Sequence, residues 1–400
     1  MRIQTSFEEA RAVVLDSVAP VDTEPVALMD ARGRTLRESV VSAADVPPFD
    51  NAAMDGFAVR AADVPTAGTA LPIAFSIVGG EPVPALPDGQ CARITTGHPL
   101  PEGADAVIRK ERTQPAADEQ VRFEMVPASG QNVRPAGEDI AAGDAVLDPG
   151  TVVDASAASL LASIGHTQLT VARRPRVHIL ITGSELVDAA EAPGAGQIRD
   201  ANGPSLALRA EAAGGQVQRR RVADDETAIR DALADAQSAD LVLVSGGMSV
   251  GHDDLVLPVL EQMGMDFKFQ GVRQRPGKPV AFGLLNGRPV LGVPGNPVAA
   301  AVCFEVYGRP ALAKLLGRSA VLPTLDTAVL DEGYRSKAGY HYFTRGIARV
   351  DGDARLRVRP TGPQGSGIAT SLRAANCLIH LDEEAPDPEP GQPVSIQWLE

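Results

Sequence analysis

Apolar and polar positions follow three rhythms along this chain. Phe7, Ala10, Val14 and Val18 recur at helical spacing behind an S-x-x-E capping box of Ser6 and Glu9. That pattern predicts a helix over 6–18, ended by Pro20. From 45 to 145 the apolar runs are short: 73–78, 91–94, 106–108 and 121–126. Pro or Gly recurs every few residues there, the pattern of a small β sandwich or barrel. Residues 154–164 read as a helix capped by Asp154 and closed by Gly165. From about 175 to 317 strands and helices alternate. Strands are expected at 177–181, 216–222, 241–244, 280–282 and 289–293, and helices near 205–213, 225–237, 253–263 and 297–316. Such alternation implies a parallel sheet covered by helices. From about 323 to Trp398 the pattern is β again. There is no internal repeat.

The expected organisation is therefore multidomain α/β plus all-β. Residues 1–44 with 146–173 form a connecting region, whose first helix packs on the α/β domain. Residues 45–145 form an inserted β domain, 174–322 a three-layer α/β domain, and 323–400 a C-terminal β domain. At about 150 residues per domain, a length of 400 residues alone suggests two to three domains.

Composition narrows the function classes. Acidic residues number 51 against 37 basic, a net charge of −14. A whole-surface binder of nucleic acid or anionic membrane leans the other way. Cys91, Cys303 and Cys377 lie far apart with no C-x-x-C, which fits a reducing compartment. The first residues lack the apolar core of a signal peptide, and no run has the length of a membrane helix. A cytoplasmic location is expected.

Ligands of open α/β sheets bind beyond the carboxyl ends of the strands. Those ends here carry Thr182-Gly183-Ser184-Glu185, Asp224-Asp225, Ser245-Gly246-Gly247-Met248-Ser249 running on to Asp254, Pro276-Gly277-Lys278-Pro279, and Pro294-Gly295-Asn296-Pro297. Glycine lets backbone N–H groups approach phosphate oxygens, and Lys278 supplies a point charge. Glu185, Asp224 and Asp254 would repel one another unless they shared a hard cation such as Mg²⁺. Taken singly, each motif has a plainer reading. SGGMSVG is a turn plus a helix start, Asp224 and Asp254 are helix N-caps, PGKP is a loop with a solvated lysine, and GNP is a helix entrance. None matches the P-loop or the dinucleotide G-x-G-x-x-G. The six histidines have no zinc spacing. The inserted region adds polar, Gly-flanked clusters at 48–58, 93–97 and 130–139.

PPFDNAAMDGFAV, RITTGHPLPEGADAVI, GQNVRPAGEDI, ITGSEL, SGGMSVGHDD, RPGKPVAFG, GVPGNPVAA and GPQGSG with SLRAANCLI follow one another in the order seen in the MoeA family. The chain resembles that family, the molybdopterin molybdenumtransferases, along essentially its whole length, and is similar to the E domain of gephyrin. The resemblance implies a MogA-like molybdopterin-binding α/β domain and a C-terminal β-barrel. It implies insertion of molybdate into the dithiolene of adenylylated molybdopterin, with release of AMP and help from Mg²⁺ or another divalent cation. It also implies a homodimer whose cleft joins the α/β domain of one subunit to the inserted domain of the other. An upstream MogA-like adenylyltransferase and downstream molybdoenzyme chaperones are the implied partners.

By the same resemblance, Asp55, Asp139, Glu185, Asp224 and Asp254 are catalytic. Glu185, Asp224 and Asp254 hold metal. Thr96, Gly246, Gly247, Ser249, Arg275, Lys278, Asn296, Arg345 and Ser371 bind the cofactor substrate. Three positions depart from the family pattern: Arg275 where Lys is common, Ala299 where Ser is common, and Phe57 where Tyr is frequent. Two other readings share the fold: a pterin-binding scaffold without turnover, and a MogA-like adenylyltransferase acting one step earlier.

Overall fold

The computed structural model describes residues 3–117, 119–248, 254–384 and 387–399. A seven-stranded sheet organises it, in the order Ile3–Thr5, Asp266–Val272, Ala281–Leu285, Arg288–Val293, Leu241–Ser245, Arg176–Thr182 and Gln216–Val222. The last four strands run parallel. Every residue of Leu241–Ser245 is buried, as expected for a strand covered on both faces. On one face pack Phe7–Asp16, Asn202–Ala212 and the helical run from Pro297 to Leu315, through Phe7, Val14, Leu206, Val298 and Leu312. On the other pack Glu226–Asp235 and Val256–Gln262, through Ile229, Leu233, Val256 and Leu260. The three-layer α/β expectation holds. Both capping-box bonds of Ser6 and Glu9 form at 3.3 Å, and Asp154 caps Ala155–Ser163.

Four local expectations change. Ala281–Leu285 runs antiparallel to Arg288–Val293, not parallel. Asn286 and Gly287 join the two with φ of +51° and +77°, the two-residue turn that matches strand twist. Asp266–Val272 is an additional strand. The first α/β helix starts at Asn202, three residues early, because Pro204 falls in the first turn, where no N–H is needed. The last helix is interrupted by a π turn over Phe304–Gly308, just before Pro310, which has no N–H for the ladder.

The chain leaves and returns through paired strands. Thr23–Ala27 lies antiparallel to Gln168–Ala172, and Val40–Val41 to Ala145–Leu147. Between them hangs a six-stranded sheet, in the order Ala106–Arg109, Gly56–Val59, Cys91–Ile94, Ala70–Ser76, Gln120–Phe123 and Thr113–Pro115. No pairing among the described residues closes it, so it is an open sheet where a sandwich or barrel was expected. Phe57 lies in its core, its ring 6.1 Å from that of Phe123, an environment with no call for a phenolic hydroxyl.

The C-terminal strands Leu325–Leu330, His341–Val350, Leu356–Pro360, Cys377–Leu381 and Pro393–Trp398 close into a five-stranded barrel. Gln274–Arg275 pairs with His341–Tyr342 and ties the barrel to the α/β sheet. The three cysteines are buried and free. No helix among the described residues is long and apolar enough to cross a membrane.

Candidate active site

Four parallel strands deliver their carboxyl ends to one cavity of about 580 Å³, within the usual range for small-molecule sites. Gly246 and Gly247 sit there with φ of +96° and +61°. A Cβ on Gly246 would stand 2.8 Å from Thr182 Oγ1, so backbone alone fits between the two strand ends. Glu185, Asp224, Asp254 and Asn296 line the same cavity. Ser249 lies outside the described residues.

The carboxylates are free for a ligand for specific reasons. Asp225, not Asp224, caps the Glu226–Asp235 helix, accepting from Ala228 N at 2.9 Å. Asp224 instead accepts from Ser184 N at 2.7 Å, while its own N–H donates to Ser184 Oγ at 3.3 Å. That reciprocal pair joins the first two strand ends and engages one of the two Asp224 carboxylate oxygens. Asp254 does not cap the helix that follows it. The N-cap reading of both aspartates is thereby replaced.

Asp200 and Asn202, which no sequence motif singled out, share this cavity and are both buried. Asn202 Nδ2 donates to Ser245 Oγ at 2.9 Å and to the Gly295 carbonyl at 2.7 Å. It pins the third strand end to the GNP turn. Asp200 accepts from Gly203 N at 2.7 Å. The available signal is a D-x-N directly ahead of a helix, masked because Gly203-Pro204 reads as a loop.

A second cavity of about 380 Å³ adjoins the first at Pro279, Pro294 and Asn296. Its polar wall is cationic, with Arg275, Lys278 and Arg345. Arg345 is 1 % exposed. Its guanidinium donates to Ser371 Oγ at 3.1 Å and to the Gly365 carbonyl at 3.2 Å. Desolvation pulls its pKa down from the ordinary arginine value. No carboxylate among the described residues stands within ion-pair distance of Arg275, Lys278 or Arg345. A buried cation without a counter-charge is costly, and the cavity beside it is where an anion would supply one. Ser371 is not on the cavity wall; it orients Arg345. Ala299 lines the wall without a hydroxyl.

The inserted-domain candidates stand apart from both cavities. Asp55 accepts from Thr96 N and Thr96 Oγ1, each at 2.9 Å, with Lys110 Nζ 3.7 Å away. These contacts, Thr96's backbone N–H foremost, hold the Asp55 carboxyl below the usual carboxylate range. Asp139 is exposed, its N–H donating to the Val46 carbonyl.

No group of three His, Cys, Asp or Glu side chains among the described residues is placed to hold a metal. Glu185, Asp224 and Asp254 all line the first cavity and offer oxygen donors only. Mg²⁺ ordinarily takes one or two carboxylates plus substrate phosphates and water, not a complete protein cage. The residues fit a cation that a phosphorylated ligand helps to bind.

Comparison with known proteins places the whole chain. Residues 5–165 match the MoeA N-terminal region (domain I and II), 178–314 a probable molybdopterin binding domain, and 327–399 the MoeA C-terminal region (domain IV). The chain is 35% identical over 396 residues to a molybdopterin molybdenumtransferase of Haemophilus influenzae, covering 98% of each chain. It is 34% identical to molybdopterin molybdenumtransferase 2 of Mycobacterium tuberculosis, again over 98% of both. Among solved structures, the molybdopterin biosynthesis moeA protein of Pyrococcus horikoshii OT3 superposes with a TM-score of 0.88 at 29% identity, covering 99% of this chain and 100% of that one.

Proposed function

The chain belongs to the MoeA family, and we propose from this and from the two joined cavities that it is a molybdopterin molybdenumtransferase of molybdenum cofactor biosynthesis. Adenylylated molybdopterin and molybdate are its substrates. The dithiolene sulfurs replace oxygen of molybdate, which leaves as water with the thiol protons, and attack of water on the phosphoanhydride releases AMP and leaves the phosphate on the pterin.

The observation that carries this reading is the pairing of unlike cavities. The first offers glycine backbone and carboxylates, which suit a pyrophosphate sharing Mg²⁺ or a similar cation with Glu185, Asp224 and Asp254. Bound there, the cation would offset phosphate charge. The second offers Arg275, Lys278 and Arg345 to an oxyanion the size of molybdate. Asn296, on both walls, stands where the two ligands meet. Ser249 belongs to the first group by its place in SGGMS. Preorganised charge of this kind supplies most of the rate in phosphoryl-transfer chemistry.

Asp55, Thr96 and Asp139 enter the proposal through a homodimer, in which the inserted domain of one subunit completes the cleft of its partner. Thr96 and Lys110 hold the Asp55 carboxylate in place for that role. The domain division at 44, 145, 173 and 322 belongs to the same proposal. So do a cytoplasmic location and contacts with a MogA-like adenylyltransferase and molybdoenzyme chaperones.

Separate titrations of the two substrates test the assignment. Arg345→Ala should raise KM for molybdate by about tenfold or more, the worth of a charged hydrogen bond, with KM for the adenylylated pterin unchanged. Glu185→Ala should lower kcat at saturating molybdate. Parallel changes in both constants for both variants would refute the division of labour.

A further inference from the structure

Gln274 is fully buried at the junction of the α/β sheet and the barrel. We propose that Gln274, held by Tyr307, is a positioning residue that fixes Arg275 and Lys278 and so sets the affinity of the second cavity for its oxyanion. This rests on reading Arg275 and Lys278 as anion ligands.

The side-chain amide of Gln274 has partners on two sides. Its Nε2 donates to the Pro276 carbonyl at 3.0 Å and lies 3.6 Å from Cys303 Sγ. Its Oε1 accepts from the Tyr307 hydroxyl. Tyr307 is itself fully buried and belongs to the π turn Phe304–Gly308. The loop lies flat against this amide. Gly277 has φ of +101°, and a Cβ there would stand 2.5 Å from Cys303 Sγ and 2.6 Å from Gln274 Nε2. Beyond it, the Lys278 carbonyl accepts from Val272 N at 2.9 Å, and the Arg275 guanidinium stacks on Tyr340 at 4.8 Å.

Burying an amide and a phenol brings little net stability over an apolar pair of the same shape, because both must be desolvated. An apolar side chain at 274 would fill the space without preferring one place for the loop. The amide does prefer one: its Nε2 has an oxygen acceptor when the Pro276 carbonyl sits where it now does, and Cys303 Sγ is the weaker partner. Two residues later comes Lys278, and a displacement near 1 Å at a ligand can cost about 100-fold. The polar hub thus specifies loop placement more than it adds to stability.

Steady-state kinetics of the full chain with adenylylated molybdopterin and varied molybdate provide the test, using Gln274→Leu, Tyr307→Phe, the double variant and Lys278→Ala. Gln274→Leu should raise KM for molybdate about tenfold, with kcat and the pterin KM near wild type. Tyr307→Phe should lower Tm, since Gln274 Oε1 is left buried without a donor. The double variant should recover Tm and keep the raised molybdate KM, because the tether to Pro276 is still missing. Recovery of both together would overturn the proposal and make the pair a packing feature. An unchanged molybdate KM in Gln274→Leu beside a raised one in Lys278→Ala would overturn it as well. If Lys278→Ala also leaves that KM unchanged, the anion-ligand reading fails first and takes this inference with it.

Discussion

The two cavities are built by different means. The first is made by strand ends: Gly246 and Gly247 expose backbone, and Glu185, Asp224 and Asp254 each come after a strand of the same sheet. The second is made by side chains that meet across a seam, Arg275 and Lys278 from the α/β domain and Arg345 from the barrel. One depends on backbone conformation, the other on keeping two domains in register. The first should therefore fail when backbone is crowded, and the second when the seam is loosened.

The largest expected effect is in the first cavity. Gly246→Ala puts a methyl against Thr182 at a positive φ. It should cost about 1–3 kcal/mol of stability and about 100-fold in kcat/KM for the adenylylated pterin, with molybdate KM unchanged among molecules that fold. Thermal melts and two-substrate kinetics check this.

Arg345→Lys comes next. It keeps the charge and loses the fork that engages Ser371 and Gly365. Molybdate KM should rise about tenfold, with little change in pterin KM. Asn202→Ala should be milder, about 1–3 kcal/mol in stability for two lost bonds of a buried amide. Its kinetic penalty should fall on the pterin. A penalty on molybdate alone would contradict the separate roles of the two cavities.

Acid should loosen the seam last and least. His341 and His380, with Nε2 and Nδ1 3.3 Å apart, are buried where the barrel meets Phe7–Asp16, with Glu8, Arg11 and Asp382 around them. Desolvation holds their pKa values down at about 4 and about 3. An unfolded chain takes up those protons near 6.5. Stability is then full above 6.5 and falls as pH drops below it, levelling under the folded values. Tm should decline from pH 7 to 5, and His380→Phe should flatten the decline.

Legibility from sequence follows the same division. Motifs at strand ends are local, so Glu185, Asp224, Gly246 and Asn296 stood out from alternating rhythm and turn chemistry alone. Local chemistry was also misread locally. Asn286-Gly287 is a hairpin signal set inside a β/α rhythm, which hid the antiparallel strand, and Pro204 hid the start of the helix holding Asn202. Arg345 and Ser371 lie 67 and 93 residues beyond Lys278 in the chain, so only resemblance to a family pointed to them. Gln274 and Tyr307 carried no signal: a buried polar pair shows itself through long-range contact, which periodicity does not record.

AMP release from adenylylated molybdopterin by the full chain, under anaerobic conditions with and without micromolar molybdate, separates a transferase from a binding protein. Release that depends on molybdate is the expected result. Tight pterin binding with no molybdate-dependent AMP would contradict it and leave a binding protein in place of a transferase.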